Sequence, residues 1–169
     1  MHYITLEQLK EKGAIYVEDI SLSANEPPFH IIEGGKEEYH VFFQRLIEQN
    51  GLDTSYGDFH FKRVEETGKD ILFMNSTVGE VRVMQELFYD AHENNEDREF
   101  VLVRLEERVL KTLLSISFGE LLFSSFYFID LGCTIWSNYN GRFLVFVKNT
   151  ETAKEVERIA EECGIAFEW

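Results

Sequence analysis

Residues 126–169 read FYFIDLGCTIWSNYNGRFLVFVKNTETAKEVERIAEECGIAFEW, and this stretch decides the fold. Three aromatic and β-branched runs, Phe126 to Ile129, Thr134 to Ser137 and Arg142 to Val147, have the composition of strands. The last two are joined through Asn138-Tyr139-Asn140-Gly141, whose Asn-Gly step favours the positive-φ turn that folds a strand back on its neighbour. Thr150 then caps a helix to Glu162, with Val156, Ile159 and Ala160 inward and Gly164 as its stop. Ile165 to Trp169 can return as a strand.

Upstream of this block, Glu99 to Leu105 is apolar on both faces and reads as a central strand. Glu106 to about Leu122 supports a helix through Val109, Leu110, Leu113, Leu114 and Ile116, weakened at its end by Ser115, Ser117 and Gly119. Gly79 to His92 fits a helix through Val81, Met84, Phe88 and Ala91, while Val81 and Val83 beside Leu87 and Tyr89 partly fit a strand; the helix is preferred. Phe59 and Phe61 alternate with His60 and Lys62, which predicts a strand paired with Ile71-Leu72-Phe73-Met74 across a turn at Glu66 to Gly68. Glu37 to Asn50 is an amphipathic helix through Val41, Phe42, Phe43, Leu46 and Ile47 that stops at Gly51.

Between Glu18 and Glu38, Pro27-Pro28 forbids helix and Gly34-Gly35 marks a turn, so a long surface loop is expected, with a strand at Phe29 to Ile32. Thr5, Leu6, Leu9 and Gly13 outline a short first helix, followed by a strand at Ala14 to Val17. Residues 1–169 are thus expected to form one α+β domain, a mostly antiparallel sheet with three to four helices.

The chain carries 16 Lys and Arg against 31 Asp and Glu, a net charge of −15, which argues against direct contact with nucleic acid. At 44% hydrophobic and 14% aromatic it can nevertheless bury a core. Charges in Met1 to Lys12 leave no room for a secretory segment, and Leu121 to Trp136 is interrupted by Ser124, Ser125, Asp130 and Gly132, so no membrane association is expected. Cys133 and Cys163 lack a CxxC spacing and read as buried free thiols, which suits the cytoplasm.

Chemistry-bearing motifs are incomplete. His92-Glu93-Asn94-Asn95-Glu96 resembles half of a zinc-hydrolase helix, but the second histidine is absent and a solvated acidic loop is the better reading. Gly34-Gly35-Lys36 is followed by Glu37-Glu38, whose carboxylates would repel phosphate. Ser124-Ser125 lies in an apolar run without a nucleophile motif, and Glu65-Glu66, Glu106-Glu107 and Glu161-Glu162 read as solvated faces. His60 reads as an exposed strand residue rather than a base. No catalytic residue, metal or cofactor is assigned.

Acidity is then the strongest functional signal. Six carboxylates against one basic residue lie in Glu18 to Glu38 (Glu18, Asp19, Glu26, Glu33, Glu37 and Glu38), and the same ratio recurs in Glu86 to Glu99. Of the second group Glu86, Asp90, Glu93, Glu96 and Asp97 are the candidates, with Tyr139 as an aromatic anchor. Such a surface steers a basic protein partner and presents carboxylates where phosphates would sit, as an inhibitor of a toxin or nuclease requires. Tyr16, Phe29, Tyr39, Tyr56, Tyr89 and Trp169 are further aromatics whose exposure would support it. Two other readings compete: acidity for solubility alone, and an enzyme or small-ligand site assembled from His40, His60, Asp58, Cys133 and Tyr139.

The block from Phe126-Tyr127-Phe128-Ile129-Asp130 through Trp136, Asn140-Gly141, Phe143 to Val147, Lys148-Asn149, the Glu151 to Cys163 helix and Phe167-Glu168-Trp169 resembles the C-terminal unit of toxin-immunity-type proteins of Gram-positive bacteria. It covers the last third of the chain. The families' aspartate-rich turn is here Asn138-Tyr139-Asn140-Gly141. The resemblance implies a cytoplasmic antitoxin that occludes a cognate toxin and performs no chemistry of its own.

Overall fold

The Asn-Gly step turns the chain as its chemistry dictates. Asn140 at φ 59° and Gly141 at φ 66° both occupy the left-handed region, and Trp136 comes to pair with Leu144. The hairpin strands lie in an eight-stranded antiparallel sheet of a computed structural model that describes residues 1–18, 29–94 and 99–169, without the side chains of residues 65–67, 93 and 94. The strands are β1 (Tyr3–Ile4), β2 (Phe29–Glu33), β3 (Ser55–Phe59), β4 (Val101–Arg104), β5 (Ser125–Phe128), β6 (Cys133–Trp136), β7 (Arg142–Val147) and β8 (Ala166–Glu168). Their spatial order is β1-β4-β3-β5-β6-β7-β2-β8.

Seven helices accompany the sheet among the described residues, more than the three to four expected. They are α1 (Leu6–Glu11), α2 (Lys36–Asn50), α3 (Phe61–Thr67), α4 (Lys69–Met74), α5 (Val78–Asn94), α6 (Glu107–Phe118) and α7 (Thr150–Glu162). The excess arises largely at residues 61–74, where the expected Phe59/Ile71 hairpin is replaced by α3 and α4. Phe61, Val64 and Leu72 bury themselves at helical rather than alternating spacing, and Gly68 at φ 99° breaks the two helices apart. The alternation of Phe59 and Phe61 had a different origin: one ends a strand, the other begins a helix, and both face the core.

Other expectations shift by less. Ala14 to Val17 is not a strand; it crosses the sheet, with Ile15 C=O accepting from Thr134 Oγ1 at 2.7 Å. β4 is second from an edge rather than central, flanked by the two-residue β1 and by β3. Asn149, not Thr150, caps α7, its side chain accepting from Thr152 N–H at 2.8 Å. In α2 the buried face is Tyr39, Phe42, Phe43 and Leu46, whereas Val41 is 47% exposed. α5 carries His92 to Asn94 beyond the point where a loop was expected, and residues 95–98 of that loop lie outside the described residues.

Strand alternation divides the core. On one face Gly57, Val103, Phe126, Phe128, Ile135, Phe143 and Val145 pack under the helices, where Phe43 meets Phe126 and Phe128 at 4.5 and 5.8 Å between ring centroids. On the other face a smaller cluster of Leu9, Tyr56, Leu102, Tyr127 and Ile129 is covered by α1 and the 14–17 segment. Gly57 is required by the first face: a Cβ there would sit 2.7 Å from Leu113 Cδ1 and 2.9 Å from Leu105 Cδ2. Among the described residues no helix is long and apolar enough to cross a membrane.

Candidate functional site: a cleft on the thinly covered face of the sheet

Among the described residues the second face is covered by α1 and the segment that follows it, and beside that segment a cleft of about 360 Å³ opens. Its wall residues come from the 16–18 segment, from β3 and the start of α3, from Glu99-Phe100, and from the facing ends of β5 and β6. Tyr16, Phe100, Phe123, Tyr127 and Trp136 supply aromatic surface, while Glu18, Asp58, His60, Arg63 and Glu99 supply charge. No protein-family model, curated protein or solved structure matches this chain. The site must therefore be read from its own atoms.

Asp58 is the buried centre, 3% exposed. Pairing between β3 and β5 ends at Gly57 opposite Phe126, and the Asp58 carboxylate takes the next amide instead: Ser125 N–H donates to Oδ1 at 2.8 Å. Tyr127 Oη donates to Oδ2 at 3.3 Å, and His60 Nε2 lies 3.5 Å from Oδ1. A carboxylate accepts about four hydrogen bonds, so Oδ2 keeps room for another donor.

His60 is not the exposed strand residue expected. It follows β3 and caps α3 at φ −82°, ψ 76°, and keeps 28% of its side-chain surface exposed against Phe100 at 5.0 Å between rings. Burial disfavours the imidazolium, but the hydrogen bond and charge of Asp58 outweigh it and raise the His60 pKa above its ordinary value, with Arg63 opposing. Burial and the Asp58 charge likewise push the Tyr127 phenol well above its usual range, so it remains a donor. Tyr16 stacks on Tyr127 at 6.4 Å, and Lys10 over the Tyr16 ring stands 3.9 Å from Glu18 at the mouth.

Two polar atoms of cleft residues, Trp136 Nε1 and Ser124 Oγ, are buried without a hydrogen-bond partner among the described residues. Ser124 is 3% exposed; its backbone is sutured to Ser137, whose Oγ accepts from Ser124 N–H and donates to Ser124 C=O. An unpaired buried donor costs about 1–3 kcal/mol.

Among the described residues, the acidic surface expected from the sequence is dispersed. Asp19, Glu26, Glu96 and Asp97 lie outside the described residues, as does the side chain of Glu93 on α5. Glu33 ends β2 with its carboxylate 3.3 Å from Arg142 Nε, and Glu37 and Glu38 occupy the first turn of α2, where a helix favours negative charge. At the opposite edge of the sheet, Glu86 accepts from Arg108 at 2.8 Å and Asp90 from Tyr3 Oη at 2.5 Å. β2 and β4 stand five places apart in the sheet, roughly 24 Å at the usual strand spacing. Of these carboxylates, Glu18 is the one among the described residues that lines the cleft.

Of the residues weighed for a distant-residue site, the cleft joins Asp58 and His60. His40 sits on α2 against Glu107 at 3.0 Å, and Cys133 faces the helix-covered core, where burial pushes its thiol pKa up. Tyr139, 57% exposed, packs on Phe123 at 4.7 Å and so adjoins the cleft from outside. Phe29, Tyr89 and Trp169 are also exposed, whereas Tyr39 and Tyr56 are buried. The sequence did not single out Glu99, Phe100, Phe123 or Trp136 as site residues, because strand ends meet only through register.

Proposed function

We propose that the protein is a cytoplasmic acidic binding protein that neutralises a basic protein partner, a toxin or nuclease, by occlusion, and that the partner docks over the cleft. The observation that supports this reading is the composition of the cleft: the carboxylates of Glu18, Asp58 and Glu99 stand among five aromatic rings, with Tyr139 exposed beside them. Carboxylates with aromatic anchors are the surface a basic partner needs, because charge steers the encounter and rings supply contact area. A net charge of −15 extends that steering over the whole molecule.

The test is capture from the source cell at low and then high salt, followed by association kinetics with the protein recovered. A single basic partner held at one-to-one stoichiometry and released by salt is expected. The double variant Glu18→Lys/Glu99→Lys should then slow association roughly tenfold, with the unfolding midpoint nearly unchanged. An unaltered association rate, or no basic partner at either salt, overturns the reading.

A second reading is favoured by one contact, the 3.5 Å approach of His60 Nε2 to Asp58 Oδ1 within the cleft. A histidine oriented by a buried carboxylate can move a proton to or from a small ligand. Turnover of a small molecule that is lost in His60→Gln would replace the binding-protein reading with this one.

A further inference from the structure

The functional reading above names a basic partner but not what enters the cleft; the inference here rests on it and concerns that contact. We propose that the cleft is a pocket for a single arginine of the partner, its guanidinium held by Asp58 and Glu99 between aromatic rings, and the carbonyl of the same segment accepting from Trp136 Nε1. Three kinds of observation converge on it.

The first is charge. Lys10 stands 3.9 Å from Glu18 and His60 3.5 Å from Asp58 Oδ1, but among the described residues Arg63 at the rim is the one guanidinium lining the cleft against the carboxylates of Asp58, Glu99 and Glu18, and Asp58 Oδ2 has the 3.3 Å contact from Tyr127 alone. The second is shape. Tyr16 and Tyr127 stack on each other with Lys10 over the outer tyrosine, and Phe100, Phe123 and Trp136 present the remaining aromatic walls. A planar, weakly hydrated guanidinium stacks on such rings and offers several donors to separated carboxylates, whereas an ammonium is compact, strongly hydrated and loses more on leaving water. The third is the pair of orphaned polar atoms. Among the described residues Ser124 Oγ, on a residue 3% exposed, is without a partner, and so is the indole N–H of Trp136, which can only donate. A cation alone cannot satisfy Trp136; a peptide arginine brings a backbone carbonyl with its cation and satisfies both demands.

The probe is N-acetyl-arginine methylamide, titrated into the full chain while the Trp136 indole N–H resonance is followed, with the lysine and citrulline analogues as comparisons. The arginine probe should shift that resonance to saturation, the lysine probe should bind about fivefold more weakly or worse, and the uncharged citrulline probe should not bind. Glu99→Gln, an exposed position that leaves the fold intact, should weaken the arginine probe about fivefold. Trp136→Phe should weaken it further while leaving the unfolding midpoint nearly unchanged. Equal binding of citrulline or lysine, insensitivity to Glu99→Gln, or a response confined to Trp169 overturns the pocket.

The two readings fail separately. If the arginine probe binds as described and no basic protein is captured, the inhibitor function falls and the pocket stands. If a basic protein binds with an affinity indifferent to Glu99→Gln, Trp136→Phe and excess probe, the function stands and the pocket falls.

Discussion

Under the helices the sheet offers Gly57, Phe126, Phe128, Ile135 and Phe143 to Phe43, Leu113 and their neighbours, every one buried; on the opposite face the same strands offer Tyr56, Asp58, Tyr127, Thr134 and Trp136 to a short helix and a stretch of unpaired chain. The first face is held by apolar area and shape. The second is held by a smaller apolar cluster and a few directed hydrogen bonds, and two polar atoms of its cleft have no partner among the described residues. A strand that alternates between such faces divides its residues between stability and recognition, and β3 does so within Tyr56, Gly57 and Asp58.

The sharpest test of this division lies on the helix-covered face. Phe43→Ala should cost about 3–5 kcal/mol in denaturant unfolding, because its ring is fully buried against Phe126 and Phe128. Gly57→Ala should cost about 1–3 kcal/mol through its clash with Leu113 and Leu105. A neutral result for both would mean that the sheet is not held from this side.

On the thinly covered face the losses should be smaller and local. Thr134→Val removes the 2.7 Å bond to Ile15 C=O and should cost about 1 kcal/mol, with amide exchange accelerated around residues 14–17. A rise in exchange spread evenly over the sheet would contradict the division.

The smallest effect expected is the pH dependence contributed by His60. Its folded-state pKa is raised above the ordinary 6.5, so the stabilisation is fully present below that value and is lost as pH rises through the folded pKa. The stability difference between the wild type and His60→Gln should therefore be greater at about pH 5.5 than at about pH 8.5. An NMR titration placing the His60 pKa below 6.5 would break the link to Asp58.

How far each face was legible in the sequence follows from what made it. The hairpin of β6 and β7, α2 and α7 carried their own signals, because Asn140-Gly141, Gly51 and the spacing of Val156, Ile159 and Ala160 act within a few residues. β3 did not. Ser55-Tyr56-Gly57-Asp58-Phe59 contains two poor strand formers, yet all five positions are buried, since β4 and β5 enclose it on both sides. The cleft was legible only in fragments: Asp58, His60 and Glu18 were singled out, but their meeting with Glu99, Phe123 and Trp136 depends on a register that brings Ser125 opposite Trp136. The acidic runs were legible as composition, and the sheet then set Glu33 and Glu86 near opposite edges.

β2 has a consequence in time. Its partners lie far along the chain: Phe29 is opposite Phe146 and Ile31 opposite Glu168. During synthesis this apolar strand waits with neither neighbour made until residues 142–168 have followed, and its loop-closure entropy is met only when β7 and β8 arrive. Completion of the sheet at β2 should thus be the late step of refolding, so that pulse-labelled amides of Ile31 and Ile32 gain protection after those of Tyr127 and Ile135. Simultaneous protection would show that the sheet closes in a single concerted event.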